Sequence, residues 1–165
     1  MALSNFKTAL SVLLLAVTGW SPLAAQEANT GTENASALPA TNVLDRKSLE
    51  NLRGNSGITL QWISWDYRGD LIVQKIGDAV MIAGIQQGKY DETAALRISG
   101  RIAEIGRDYF LLDGTITIRN APDKERECRL SGDNLRFAIT QNRNYWRLRQ
   151  FEWCDYLTDY IDIYF

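Results

Sequence analysis

From residue 57 onward the chain consists of short apolar runs separated by turn residues, and this pattern constrains the fold most. β-Branched and aromatic residues fill the runs, while Gly, Asp and Asn stand between them. Strands that recur about every ten residues with such punctuation are typical of antiparallel sheets. The sequence therefore predicts an all-β fold, a small antiparallel meander forming a barrel or a sandwich. The predicted strands are 58–65, 71–76, 79–86, 95–105, 109–112, 115–119, 136–140, 145–153 and 160–165.

One turn in this series has a strong local signal. Asp113-Gly114 lies between two apolar runs, and glycine accepts the positive φ that a two-residue type I′ turn requires. We therefore predict a tight hairpin here, with 109–112 and 115–119 as its two strands.

A short helix is predicted ahead of the strands. Asn42 can cap a helix that carries Leu49 and Leu52 near one face, and Gly54 can end it. Residues 26–41 are polar and lack apolar anchors, which is typical of a disordered linker. The predicted organisation is a single β domain over 42–165 with a short N-terminal helix.

The N-terminus predicts export. Lys7 precedes an apolar run over 9–17, Gly19 and Pro22 follow that run, and Leu23-Ala24-Ala25 comes next, with Leu23 where the cleavage pattern wants a small residue. The run is too short to span a bilayer, which needs about 20 apolar residues. Residues 1–25 are therefore interpreted as a signal peptide, the mature chain as lacking a transmembrane span, and its location as periplasmic or secreted.

The cysteine count is informative in that setting. Cys128 and Cys154 are the two cysteines of the chain, and an even count in an exported protein favours a disulfide. A redox pair is the alternative, but such pairs usually take the C-x-x-C spacing. A disulfide here would stabilise the fold by about 3.5 kcal/mol in the chain-entropy model.

Composition excludes several classes of function. The chain has no histidine, so Ser-His-Asp and Cys-His catalysis and His-based zinc sites are excluded in their usual forms. Its net charge is −2, with 18 Lys and Arg against 20 Asp and Glu, which gives no basic footprint for nucleic acid. We expect no cofactor and no metal.

An aromatic group on the first predicted strand is the candidate ligand-binding site. Trp62 and Trp65 would point to opposite faces of that strand, so one of them is expected to be exposed, with Tyr67 close by. An exposed aromatic there could grip a sugar ring or a partner protein of the envelope. The alternative is a sheet packed on both sides, with the short helix covering the second face.

Carboxylates offer a second class of function. Asp66 with Asp70, or Asp91 with Glu92, could act as acid and base in a glycan-acting enzyme, although surface turns also account for them. A third class is a structural, outer-membrane-associated component, because Phe165 ends a strand with alternating apolar residues.

The two C-terminal strands are expected to pair through opposite charges. Antiparallel pairing would set Arg147 or Arg149 near Asp159 or Asp162. We interpret these acids, together with Asp155, as a solvated turn and an exposed cross-strand pair rather than as a calcium site. Such exposed pairs contribute only about 0–1 kcal/mol.

These C-terminal residues also carry a resemblance. The run Tyr-Trp-Arg-Leu at 145–148, Cys154 and the run Asp-Tyr-Ile-Asp-Ile-Tyr-Phe at 159–165, with Thr-Leu-Gln-Trp-Ile at 59–63, resemble a family of exported proteobacterial proteins of unknown function. The resemblance implies a Gram-negative periplasmic or secreted setting and no particular activity. The leading hypothesis is a non-enzymatic binding or inhibitor-type β domain, the inhibitor role resting on analogy of fold.

Overall fold

A computed structural model describes residues 38–165, so the predicted signal peptide and most of the predicted linker lie outside the described residues. Within this range the chain forms one helix and nine strands. In chain order they are β1 (Asn42–Val43), α1 (Arg46–Arg53), β2 (Gly57–Leu60), β3 (Asp70–Ile76), β4 (Ala79–Gln87), β5 (Ala95–Ile105), β6 (Tyr109–Arg119), β7 (Glu127–Ala138), β8 (Tyr145–Leu148) and β9 (Ile161–Tyr164).

The strands form one nearly closed, barrel-like sheet. From β3 to β9 each strand pairs antiparallel with the next, and β9 pairs antiparallel with β2, giving the order β2-β9-β8-β7-β6-β5-β4-β3. Backbone hydrogen bonds of 2.8 and 3.1 Å between Ile58 and Gly69 join β2 to the start of β3. The predicted all-β meander with one short helix is confirmed, and of the two predicted forms the structure adopts the barrel.

Antiparallel connection places the loops at two ends of the barrel. The long-loop end carries the connections 61–69, 88–94, 120–126 and 149–160. The short-loop end carries 77–78, 106–108 and 139–144. The segments predicted as strands over 58–65 and 145–153 leave the sheet after Leu60 and Leu148, because the residues that follow build the long-loop end.

The helix closes the short-loop end and begins later than predicted. Asp45, not Asn42, is the N-cap, and its carboxylate accepts a 2.8 Å hydrogen bond from the Ser48 backbone N–H. Asn42 instead lies in β1, which pairs parallel with the end of β5. Leu52 of the helix is fully buried in the core, and Gly54 ends the helix as predicted.

Alternate residues of the strands point inward and fill the barrel. Phe110 and Phe137 stack at 4.8 Å, and Trp146 meets Phe110 edge-on at 6.0 Å and Phe165 at 4.2 Å. Aromatic contacts of this kind add to the free energy gained by burying the rings. The barrel interior is therefore a packed core, and the surface and the loops remain as places for a ligand.

The hairpin predicted at Asp113-Gly114 is wrong. Both residues lie inside β6, where the register shifts against β7 between Leu112 and Gly114. Gly114 pairs with Gly100 on one side and Gly132 on the other, and a Cβ on it would lie 2.3 Å from the Ser99 carbonyl oxygen. Glycine is required here because the strands approach closely at a bend, not because the chain turns back.

No helix within residues 38–165 is both long and apolar enough to cross a membrane.

Candidate functional site

The long-loop end contains the disulfide. Cys128 at the start of β7 is bonded to Cys154 in the connection 149–160, with Cα atoms 5.9 Å apart, as the cysteine count predicts. Asp155 lies close to both sulfur atoms. Since the two sulfurs are bonded to each other, they are not available as thiolate ligands for a metal ion.

Next to the disulfide, Arg126 is buried with all of its N–H donors engaged. Nε and Nη2 donate to the two carboxylate oxygens of Asp155 at 2.7 and 2.9 Å, and Nη1 and Nη2 donate to those of Asp159 at 3.2 and 3.0 Å. Nη1 also donates to the Ala121 carbonyl oxygen at 2.7 Å. A guanidinium has five N–H groups, and each has an acceptor here. The side chain thus joins two connections of the long-loop end, 120–126 and 149–160.

Asp159 carries this network to an aromatic side chain. It is fully buried, and its Oδ1 accepts a 3.0 Å hydrogen bond from the indole Nε1–H of Trp62. Burial raises the pKa of Asp159 above its usual value, although the Arg126 hydrogen bonds and charge oppose that shift. At Asp155, which is half exposed, the hydrogen bonds from Arg126 lower the pKa.

A second buried polar side chain holds the same loop. Gln86 points inward at the end of β4 and is fully buried. Its Oε1 accepts from the Leu60 backbone N–H at 2.5 Å, and its Nε2 donates to the carbonyl oxygens of Ser64 and Tyr67 at 3.0 and 2.9 Å. The connection 61–69 is therefore fixed by side chains from beneath, although it contains no regular strand or helix.

Above this support lies a groove of about 600 Å³, here called the aromatic groove. Residues of three connections line it: Trp62, Ile63, Ser64, Trp65, Asp66, Tyr67, Gly88, Lys89, Tyr90, Asp91, Ala94, Asn120 and Pro122. Trp62 is 36% exposed, Trp65 47% and Tyr90 96%, so the rings meet solvent. Trp62, Trp65 and Tyr90 are thus large aromatic side chains that the fold leaves partly or wholly in solvent.

The three predicted aromatic residues lie together, but in a loop and not on a strand as predicted. Trp62 and Trp65 do not alternate on a strand; both lie in the connection after β2 and line the same groove. Both are exposed, whereas the sequence predicts only one. Tyr67 is anchored at its hydroxyl, which donates to the Gln87 carbonyl oxygen and accepts from the Lys89 N–H, each at 2.8 Å.

The four acids considered for catalysis are divided among different places. Asp66 and Asp91 line the aromatic groove, Glu92 lines a second groove, and Asp70 begins β3. Hydrogen bonds from Thr93 lower the pKa of Asp91. A glycosidase needs one carboxylic acid whose pKa is raised, and Asp91 is shifted the opposite way.

The predicted charge pairing of the last two strands is found, but not in the predicted environment. Arg147 lies opposite Asp162 across β8 and β9, with hydrogen bonds of 2.6 and 2.7 Å. Asp162 and Asp159 are fully buried, so the interpretation of these acids as a solvated turn with exposed pairs is wrong. Burial raises the pKa of Asp162, and the Arg147 guanidinium also stacks 4.1 Å from the Tyr160 ring centroid.

Sequence reasoning missed three residues of the site. Arg126 looks like one charge of a polar turn, and only its position two residues before Cys128 could have marked it. Gln86 occupies an inward position in the alternation of β4, which a polar residue does not usually take. Tyr90 lies outside every predicted strand and gives no periodic signal.

Comparison with known proteins identifies a family for this chain. A family model described as the PM1083 family matches residues 40–165. "Uncharacterized protein PM1083" of Pasteurella multocida (strain Pm70) is 37% identical over 120 residues, which cover 71% of this chain and 76% of that protein. No solved structure matches. The match extends over residues 40–165, so it does not test whether the C-terminal motif is specific to the family. The chain belongs to the PM1083 family.

Proposed function

We propose that this chain is an exported, non-enzymatic binding domain whose aromatic groove holds a glycan. One observation carries the proposal: Trp62, Trp65, Tyr67 and Tyr90 line one solvent-open groove at the long-loop end. Separate exposed aromatics are ordinary on a protein surface, but a contiguous group of them marks a binding surface.

The chemistry of the groove suits sugar rings. An aromatic ring has a negative face, which attracts the polarised C–H groups on the flat side of a pyranose. The groove also contains carboxylates at Asp66 and Asp91 and an amide at Asn120, which can accept or donate hydrogen bonds to hydroxyl groups. Apolar faces with a few placed polar groups are the usual composition of a small-ligand site.

The support beneath the groove favours binding because it fixes the aromatic side chains in advance. Trp62 is held by buried Asp159, and the backbone on both sides of Trp65 is held by Gln86. A ring that is ordered before the ligand arrives loses less conformational entropy on binding. A mobile surface loop would not require two fully buried polar side chains to support it.

Two features support export. Residues 1–25 have the pattern of a signal peptide, and the cysteine pair is disulfide-bonded, which is compatible with an extracytoplasmic protein. Glycans are abundant in that compartment, so the ligand class agrees with the location. An inhibitor-type role, in which the groove receives a segment of an envelope protein, and a structural role in the envelope are the competing proposals.

The test is isothermal titration calorimetry, in which the exported, oxidised protein is titrated with N-acetylchitotetraose and, separately, with a soluble muropeptide. Trp65→Ala is expected to weaken binding of the oligosaccharide at least tenfold, because it removes one stacking face. Ile76→Ala is the matched control, since its side chain is 49% exposed, close to the 47% of Trp65, but lies at the short-loop end.

Wild-type affinity in Trp65→Ala, or no binding of either sugar, would contradict the proposal. Mass spectrometry of the sugar after incubation separates binding from hydrolysis, since shortened products would indicate the carboxylate-based enzyme instead. Capture of an envelope hydrolase without any sugar binding would favour the inhibitor-type role.

A further inference from the structure

The outer face of β5, β6 and β7 carries charged residues in cross-strand rows, and two of these rows are neutralised. In one row Arg101 lies opposite Asp113 and forms an ion pair with it. In another, Arg119 lies opposite Glu127 and forms an ion pair of 3.0 Å. Opposite charges in directly facing positions are the favourable arrangement for a sheet.

Of the two rows between them, the one next to the Arg119–Glu127 pair is not neutralised. Arg97 faces Thr117 on β6, and Thr117 faces Arg129 on β7. Among residues 38–165, no acidic side chain lies within ion-pair distance of either arginine. Two strand spacings place their Cα atoms about 10 Å apart, so two exposed guanidinium groups can converge above Thr117. The two arginines of this row add no ion pair to the stability of the fold, because no carboxylate of the described residues neutralises them.

This row lies in a groove of about 770 Å³, here called the arginine groove. Its charged lining consists of Arg97, Arg119 and Arg129 against Glu92 and Glu127, so the cations are in excess. Since Glu127 is engaged by Arg119, Arg97 and Arg129 remain the cations available to an outside anion.

Hydroxyl groups stand beside the free cations. The Thr115 hydroxyl lies 3.5 Å from Arg129 Nη2 and 2.9 Å from the Ser131 hydroxyl. The next row of the outer face thus offers hydroxyl donors and acceptors next to the Arg129 guanidinium.

The arginine groove and the aromatic groove are neighbours. Asn120 lines both of them, and its side chain donates a 3.3 Å hydrogen bond to the Thr93 carbonyl oxygen in the connection 88–94 that runs between the grooves. The two grooves thus share Asn120 and border the same connection, 88–94.

We propose that Arg97 and Arg129 bind carboxylate groups of the glycan whose sugar rings occupy the aromatic groove, so that the ligand is an acidic glycan. This inference rests on the proposed function and narrows its ligand class. A guanidinium group presents a planar fork of donors that matches a carboxylate with two parallel hydrogen bonds. Because both arginines are exposed, the attraction is screened by salt.

The experiment compares three probes on the exported, oxidised protein. N-acetylchitotetraose is neutral, tetragalacturonate carries a carboxylate on each ring, and a disaccharide–tetrapeptide muropeptide carries carboxylates on its attached peptide. The last two distinguish the source of the carboxylate. The test variant is Arg97→Gln with Arg129→Gln, and the control with the same change in net charge is Arg46→Gln with Arg107→Gln, two exposed arginines away from both grooves.

We expect at least one acidic probe to bind about tenfold more tightly than the neutral probe at low salt. The test variant should lose this advantage and keep the affinity for N-acetylchitotetraose, while the control variant keeps both. Acidic probes that bind no more tightly than the neutral one, or equal weakening in the two double variants, would overturn the inference.

Trp65→Ala separates this inference from the proposed function. Loss of all binding in Trp65→Ala together with wild-type behaviour of the arginine variant would overturn the acidic ligand and leave the glycan site standing. Binding of acidic probes that depends on Arg97 and Arg129 but not on Trp65 would overturn both the glycan site and the joint ligand. Binding of the acidic probes that depends on Trp65 and also on Arg97 and Arg129 would support the glycan site and the acidic ligand together.

Discussion

The two ends of the barrel are closed in different ways. At the short-loop end, α1 places Leu52 in the core, and one backbone N–H is satisfied by the Asp45 cap. At the long-loop end, the buried Arg126 guanidinium bonds to Asp155, Asp159 and the Ala121 carbonyl oxygen, and Asp159 also accepts from Trp62. One end is thus closed mainly by apolar packing and the other by directional polar bonds.

The polar closure lies at the end of the barrel that carries the aromatic groove. Apolar packing is non-directional and stabilises a fold without fixing side-chain orientation closely. A buried charge network costs desolvation and adds little net stability, but a fully satisfied one holds its members in one geometry. At the long-loop end, the last hydrogen bond of this network comes from the indole N–H of Trp62, a residue of the aromatic groove. The barrel therefore has its buried charge network at the end where the aromatic groove lies.

The largest predicted effect comes from breaking the buried charge network. Arg126→Leu would leave Asp159 buried without its cation, with side-chain exposures of 5% and 0% in the native pair. We expect a loss of about 3–5 kcal/mol in the free energy of unfolding, measured by urea denaturation. Lys75→Ala is the control at the short-loop end, because the Lys75–Asp78 pair is exposed and contributes at most about 1 kcal/mol. Equal losses in both variants would remove the distinction between the two ends.

Removing the disulfide is expected to have a slightly smaller effect. Replacing Cys128 and Cys154 with serine opens a loop with a sequence separation of 26, which corresponds to about 3.5 kcal/mol in the chain-entropy model. Urea denaturation of the double variant measures the loss, and calorimetry with the sugar probes measures its effect on the groove. We expect weaker sugar binding as well, because the disulfide holds Arg126 beside Asp155. A stable variant with unchanged affinity would show that the network holds its geometry without the disulfide.

A variant of the helix cap tests whether the short-loop end affects the aromatic groove. Asp45→Ala removes the acceptor of the Ser48 N–H, which typically costs about 1 kcal/mol. Thermal denaturation should show that loss, and calorimetry should show unchanged affinity for the sugar probes. Weaker sugar binding in this variant would mean that the two ends are coupled through the barrel.

The last and smallest effect concerns pH, because the pKa of Asp159 is shifted in the opposite direction from those of Asp155 and Asp45. Burial raises the pKa of Asp159 above the ordinary 3.8, whereas hydrogen bonds lower the pKa of Asp155 and Asp45 below it. The stability contributed by the two lowered carboxylates is present above pH 3.8 and is lost as the pH falls through their folded pKa values. The contribution of Asp159 has the opposite sign and decreases as the pH rises from 3.8 through its raised pKa. Carboxyl ¹³C titration by NMR measures all three, and an Asp159 that titrates below Asp155 would contradict the burial argument.

The sequence predicts the all-β meander, leaves open whether it forms a barrel or a sandwich, and predicts the site only in part, for physical reasons. Strand patterning depends on local alternation, so β3, β4 and β5 appear close to their predicted bounds. Gly114 misleads because one residue type serves both tight turns and close strand contacts. Trp62 and Trp65 are found because large aromatics are rare, but their common groove depends on Gln86 and Arg126, whose partners are far away in sequence. Long-range polar contacts of this kind leave no periodic trace.

The most direct test of the account follows the Trp62 indole N–H by NMR hydrogen exchange in the oxidised protein and in the reduced protein, under conditions where both remain folded. If the disulfide and Arg126 fix Trp62 through Asp159, reduction is expected to speed exchange of the Trp62 indole proton at least tenfold and to leave exchange of the Ser48 amide at the helix cap unchanged. An unchanged Trp62 signal, or equal acceleration at both ends of the barrel, would contradict this expectation.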